Sequence, residues 1–297
     1  MSYMKIICSI VCLLSLSFIL RAQETEKLSR LDKKWELVPE AQKGTLKLSE
    51  YKPLYLMPFR WINRPNDKPE SLSENNITET PFGYNHAEIK FQLSFKTKIL
   101  QNILGNGRGD IWVGFTQVSD WQAYNTDLSR TFRELKYEPE LIFNYPLYVK
   151  MGDFKLKMIS LGFSHQSNGK NLPESRSWNR LNLSLGMEIN RLTLMAKTWY
   201  RLPEEANSND NPKIENYVGR AEISALYENW GQEFYFKIRS NLNFSKYRGS
   251  TEFNWLFPIK NDLKFFFSFT NGYGDSLIDY NWNQTTFGVG VSLGEWL

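Results

Sequence analysis

The chain has 297 residues and a formal charge of +4, with 41% hydrophobic, 15% aromatic and 23% charged residues. That length allows one large domain or two small ones, and a charge so near balance argues against nucleic acid as the main partner. Both cysteines, Cys8 and Cys12, lie within the first 22 residues. The remainder therefore has no means of making a disulfide, a thiolate metal site or a cysteine nucleophile.

In chain order, Lys5 precedes an apolar run from Ile6 to Leu20, and Ala22 offers a small residue before a cut. The pattern predicts a secretory signal peptide over 1–22, since the run falls short of the ~20 residues that a spanning helix needs. Removing it takes Lys5 and Arg21 and no acid, so the charge falls from +4 to +2. Residues 23–50 are charged and read as a periplasmic N-terminal extension, ahead of one domain over 51–297.

From there the chain alternates with period two. In 88–99, Ile89, Phe91, Leu93, Phe95 and Ile99 hold odd positions, and Lys90, Gln92, Ser94, Lys96 and Lys98 hold even ones. In 231–243, Phe234, Phe236, Ile238 and Leu242 alternate with Glu233, Lys237, Arg239 and Asn241. In 251–259, Phe253, Trp255, Phe257 and Ile259 alternate with Glu252 and Asn254, and Phe287, Val289, Val291, Leu293 and Leu297 carry the pattern to the carboxyl terminus. Weaker stretches near 51–63, 135–149 and 192–202 bring the number of strands to about twelve.

The polar face carries too much charge for a sandwich core, and the apolar face is long and aromatic. Connections near 100–107, 150–153, 190–191, 228–230 and 260–261 are short; those near 64–85, 121–134, 168–176, 203–215, 244–248 and 272–283 are mostly long and polar. Short and long alternate, as when turns face the periplasm and loops face outward. The expected fold class is all-β: a transmembrane antiparallel β-barrel of about twelve strands, wet inside, with no open edge in hydrocarbon. Trp199, Tyr200, Tyr217, Tyr227 and Trp230 then serve as interfacial girdles at strand ends.

One stretch breaks the pattern. In 159–167 the odd residues are Ile159, Leu161, Phe163, His165 and Ser167; in 177–189 they run from Ser177 and Asn179 into Leu181, Leu183 and Leu185. His165, Ser167 and Asn179 therefore continue oily, lipid-facing rows beside an outer loop, where polar groups are costly and tend to be functional. Residues i and i+2 share a face. If 165 pairs with 179 across the hairpin, apolar stays opposite apolar and 168–176 becomes the loop. A serine hydroxyl needs a neutral imidazole to accept its proton, and the imidazole needs a third group to orient it. Asn179 can orient His165 without supplying negative charge. Gly169, Ser175 and the backbone of the loop could hold a cation or an oxyanion. The other histidine, His86, lacks such company and reads as structural.

With these residues in view, "HQSNGKNLPESRSWNR" strongly resembles the core block of the outer membrane phospholipase A family. "GFTQVSDWQ" (114–122), "RTFRELKYEPEL" (130–141), "NPKIENYVG" (211–219) and "GYGDSLIDYNWNQTTFGVGV" (272–291) are similar to it too. The similarity covers roughly 84–297 and thins before that. It implies a twelve-stranded barrel in the outer membrane that hydrolyses acyl esters of phospholipids (A1, A2 and lysophospholipase types), depends on Ca2+ and is active as a homodimer. It implies Ser167 as nucleophile, His165 as general base, Asn179 as its orienter and Gly169 in the oxyanion region. It further implies calcium ligation by the Ser175 hydroxyl, by the Lys170 carbonyl and by Ser129 of the partner subunit, with Gln117 at the dimer interface. This chain has Lys170 where the family often has Arg, and Leu297 where outer membrane barrels commonly end in an aromatic residue. A non-enzymatic barrel, either a pore or an adhesin, is the alternative; it accounts for the alternation but not for a lipid-facing His165. A secreted all-β binding module is a third reading; it predicts release without detergent, so fractionation separates it from both barrels.

Overall fold

A computed structural model describes residues 28–297, so the expected signal peptide over 1–22 lies outside the described residues. Among them, thirteen strands form one antiparallel sheet. β1 (Leu48–Glu50) is a short strand laid on the side of the barrel wall; the wall itself starts with β2 (Leu54–Ile62). β3 (Ala87–Leu100), β4 (Asp110–Trp121), β5 (Glu134–Met151) and β6 (Phe154–Ser167) follow, each paired with its predecessor. The wall continues through β7 (Ser177–Ile189), β8 (Leu192–Arg201), β9 (Ala221–Asn229), β10 (Gln232–Ser240), β11 (Gly249–Lys260), β12 (Leu263–Gly272) and β13 (Gln284–Leu293). Pairing of β13 with β2 closes a twelve-stranded barrel. Two-residue turns at 152–153, 190–191, 230–231 and 261–262 alternate with longer loops as expected from the sequence, but the β3–β4 connection, expected short, spans 101–109 and is as long as loop 168–176.

Leu93, Phe95, Val113, Leu141, Leu161, Phe163, Leu181, Ile223, Phe236 and Phe267 all stand on the outside. Such a belt is stable only against lipid. The opposite parity fills the lumen with paired charge: Glu138 meets Lys52 at 2.8 Å and Arg180 at 2.6 Å, and Glu140 meets Lys52 at 2.7 Å. Burial of these ions is tolerable because each faces a counter-charge. A cavity of about 300 Å³ remains among them.

The girdle is corrected at two positions. Trp199 lies on the inward parity of β8, donates to the Gly219 carbonyl at 2.9 Å and is buried. Tyr217 packs edge-on against Tyr273 and Tyr280 beneath the outer loops. Tyr200, Tyr227 and Trp230 are exposed, as interfacial residues should be. The terminal alternation also stops early. Gly294 has φ 76°, and its missing Cβ lets the chain turn over the Glu50 carboxylate into the lumen. Trp296 is thereby buried against Tyr55, Tyr235 and Phe266.

Helix α1 (Arg30–Trp35) occupies the short-turn end of the lumen. Ser29 caps it reciprocally with Asp32, and Leu31 and Trp35 bury their side chains against Tyr51, Trp112, Ile142 and Met158. Asp32 pairs with Lys157 at 2.7 Å, Glu36 with Lys98 at 2.9 Å, and Arg30 with both Glu228 and Glu233. Lys96 sends its ammonium to the Lys34 carbonyl at 2.6 Å and over the Trp35 ring at 3.3 Å. Part of the region expected as a periplasmic extension is thus folded into the periplasmic mouth of the barrel. At the other end Arg60 and Arg133 share Glu88, and extend to Asp275 and Asp279. Burial opposes ionisation of Asp275, but Arg60 and Lys90 outweigh it and hold the carboxyl well below the usual range.

Candidate active site

The β6–β7 hairpin is pinned from both faces. Outside, Leu161 lies opposite Leu183 and Phe163 opposite Leu181. Inside, Asn182 donates to Ser164 Oγ at 3.0 Å, and the Trp178 indole donates to Gln166 Oε1 at 2.7 Å. A slip of one residue would turn every one of these side chains to the wrong medium. The same register sets His165 directly across from Asn179.

His165 Nδ1 lies 2.9 Å from Asn179 Oδ1. A carboxamide oxygen only accepts, so in this arrangement Nδ1 carries the hydrogen and Nε2 keeps its lone pair. Ser167 is two residues on, on the same outer face, and closes β6 opposite Ser177 on one side and Tyr137 on the other. All three site residues are half-buried, between the wall and the surrounding medium. The geometry joins the imidazole to the group that orients it and sets the Ser167 hydroxyl on the same outer face two residues on; among the described residues no hydrogen bond links Ser167 to His165.

Loop 168–176 adjoins them. Gly169 is left-handed (φ 65°), and a Cβ there would sit 3.2 Å from the Tyr137 ring, so both conformation and space call for glycine. Lys170 pairs with Glu174. Ser175 Oγ donates to Asp210 Oδ2 at 2.5 Å, while its carbonyl accepts from Asn76 at 2.9 Å. With its proton committed to Asp210, the Ser175 hydroxyl keeps lone pairs for a cation. Hydroxyl and carbonyl oxygens are the donors a hard cation such as calcium takes. Among the described residues no group of three His, Cys, Asp or Glu side chains forms an alternative metal centre.

Gln117 faces outward on β4, in register with Tyr137 and so in line with Ser167. Its amide donates to Ser119 Oγ at 3.3 Å. Ser129 lies in the loop after β4, its carbonyl held by the Trp121 indole at 2.8 Å. Among the described residues no hydrogen bond joins it to Ser175 or Lys170. His86 is structural in kind: Nδ1 lies 2.6 Å from the Ile62 carbonyl, and the ring stacks on Trp61. Sequence reasoning missed Asp210, Asn76, Asn168 and Glu134 around the loop. Asn168 had a signal, the inward parity beside Ser167; the partners from remote loops had none.

The profile of the family described as Phospholipase A1 matches residues 31–293. A putative phospholipase A1 of Neisseria meningitidis serogroup B is 39% identical over 258 residues, 85% of this chain and 67% of its own. Phospholipase A1 of Escherichia coli is 35% identical over 70% of each chain. Among solved structures, outer membrane phospholipase A from Escherichia coli aligns with TM-score 0.77 at 30% identity, over 89% of this chain and 98% of that one. A Salmonella typhi outer membrane phospholipase, a dimer with bound calcium, aligns with TM-score 0.78 at 31% identity, over 90% and 99%. A closed barrel with an oily exterior and these relatives lead to one conclusion: the chain is an outer membrane β-barrel that belongs to the phospholipase A1, or outer membrane phospholipase A, family.

Proposed function

We propose that this outer membrane phospholipase cleaves the acyl esters of membrane phospholipids with Ser167 as nucleophile, His165 as general base and Asn179 as orienter. The observation that carries the reading is the 2.9 Å contact of His165 with Asn179 on the outer face of the wall, in line with Leu161, Phe163, Leu181 and Leu183. An ester at the membrane boundary meets this face without its acyl chains leaving lipid.

His165 Nε2 removes the Ser167 proton as Oγ attacks the ester carbonyl carbon. The tetrahedral oxyanion is received at the backbone of Gly169. Collapse expels the alcohol of the lysophospholipid, which takes the proton back from His165, and leaves an acyl ester on Ser167. Water, deprotonated by His165, then attacks the acyl carbonyl carbon; the acyl–Oγ bond breaks, Ser167 Oγ takes the proton back from His165, and the fatty acid leaves. Asn179 holds the ring through both halves but offsets none of the imidazolium charge. The Ser175 hydroxyl, the Lys170 carbonyl and the partner subunit's Ser129 would hold calcium, which when bound offers positive charge near the oxyanion. A site that opens sideways onto lipid suits A1, A2 and lysophospholipase cleavage alike. Gln117 and Ser129 give the outer end of β4 its part in a catalytically active homodimer. The functional division is a removed signal at 1–22, an extension at 23–50 and the catalytic barrel at 51–297.

The test is hydrolysis of phospholipid by purified protein, with and without calcium, for wild type and Ser167→Ala. Chelation should lower the wild-type rate by about 10²-fold, and Ser167→Ala should remove the calcium-dependent rate altogether. A Ser167→Ala protein as active as wild type sinks the nucleophile assignment. Crosslinked dimer and activity should rise together as calcium is added; full activity in a strictly monomeric species sinks the dimer.

A further inference from the structure

Asn168 follows Ser167 immediately, so its side chain points into the barrel while Ser167 points out. It is 1% exposed, and its polar atoms are all engaged. Its carboxamide nitrogen donates to the Glu174 carbonyl at 2.8 Å and to both oxygens of Glu134 at 3.3 and 3.4 Å. Its carboxamide oxygen accepts from the backbone of Lys170 at 3.3 Å and of Arg176 at 3.0 Å. Its own N–H donates to the Arg176 carbonyl at 3.0 Å. One side chain therefore holds the start, middle and end of loop 168–176. Glu134, also 1% exposed, accepts in turn from the Ile278 N–H at 3.0 Å, which anchors it to the loop after β12.

We infer that Asn168 is a positioning residue for hydrolysis, with Glu134 fixing the orientation of its carboxamide. This rests on the assignment of Ser167, Gly169 and Lys170 above. The reason is conformational. A hairpin loop of this length has many shapes open to it, and oxyanion donors act only if placed before charge develops. Asn168 reduces those shapes to one and places the Gly169 backbone and the Lys170 carbonyl beside Ser167. The Glu134 carboxyl and the Glu174 carbonyl both face the carboxamide nitrogen, and together they fix which way round the Asn168 amide sits.

The experiment uses the purified full-length protein with saturating calcium and a phospholipid substrate. Asn168→Ala should lower kcat by about 10²-fold, the scale of an ångström-size displacement, with KM within about twofold of wild type. The heat-dependent mobility shift of the folded barrel should be unchanged. Asn168→Asp sets two carboxylates together and should lose at least as much. Adding Glu134→Gln restores a donor to the pair, and the double variant should recover about tenfold of that loss. Asn168→Ala within about threefold of wild type, or a loss confined to KM, overturns the inference. If Asn168→Ala does not fold, the other pair decides: a double variant no better than Asn168→Asp overturns it. Retained activity in Ser167→Ala faults the nucleophile assignment instead, which separates the two failures.

Discussion

On its inner face the β6–β7 hairpin carries Ser164, Gln166, Trp178, Arg180 and Asn182, all buried and bonded to one another or to a neighbouring strand. On its outer face the same two strands carry Leu161, Phe163, Leu181 and Leu183, and then, toward the outer loops, His165, Ser167 and Asn179. Inside, polar groups are the rule and serve stability. Outside they are the exception, and under the proposed function it is chemistry that offsets their exposure to lipid. Residue type alone thus says little here; its parity on the strand decides what a serine or an asparagine is for.

Within the paired strands that contrast predicts that outer-face changes strike rate and inner-face changes strike stability; Asn168, just past the end of β6, is inferred to act on rate through the loop it holds. Ser167→Ala should cost about 10³-fold or more in kcat while leaving the denaturant midpoint in place; a shifted midpoint would blur the division between the faces. On the inner face, Arg180→Met strips Glu138 of its 2.6 Å partner and should cost about 3 kcal/mol of unfolding free energy, with kcat per folded molecule unchanged. Back on the outer face, Asn179→Ala removes the ring's orienter and should lower kcat about 30-fold at near-constant KM, less than the loss of a charged orienter would cause. The smallest effect is expected of Trp178→Phe, which deletes the bond to Gln166 and should cost about 1 kcal/mol in a urea titration, with activity within about twofold. An activity loss in Trp178→Phe larger than in Asn179→Ala would break the scheme.

Much of this was legible because a barrel reduces structure to parity. The strands, the alternation of turns and loops, and the meeting of His165 with Asn179 all follow from period two and one hairpin register. Parity failed where the chain left the wall. Trp199 was placed in the girdle by its proximity to a strand end, although its odd position on β8 turns it inward. Period two extends the last strand to Leu297, although Gly294 folds the end of the chain into the lumen. The shell of loop 168–176 was illegible for another reason. Asn76, Asp210 and Ile278 come from three separate loops, and no local pattern announces contacts across such sequence distances.

Helix α1 has a consequence for assembly. Its partners are spread over nearly the whole chain: Lys98 on β3, Lys157 on β6, Glu188 on β7, Glu233 on β10, and the Glu295 carbonyl, 261 residues from Lys34. No subset of strands offers this arrangement, because the contacts exist only once the sheet has come round on itself. Contacts of such long separation form late, after the loop entropy between them has been lost. Among the described residues the earliest helix in chain order is therefore expected to be the last piece seated, and its docking can serve as a reporter of ring closure. A fluorophore quenched by Trp35 would record the moment at which an open sheet becomes a sealed vessel.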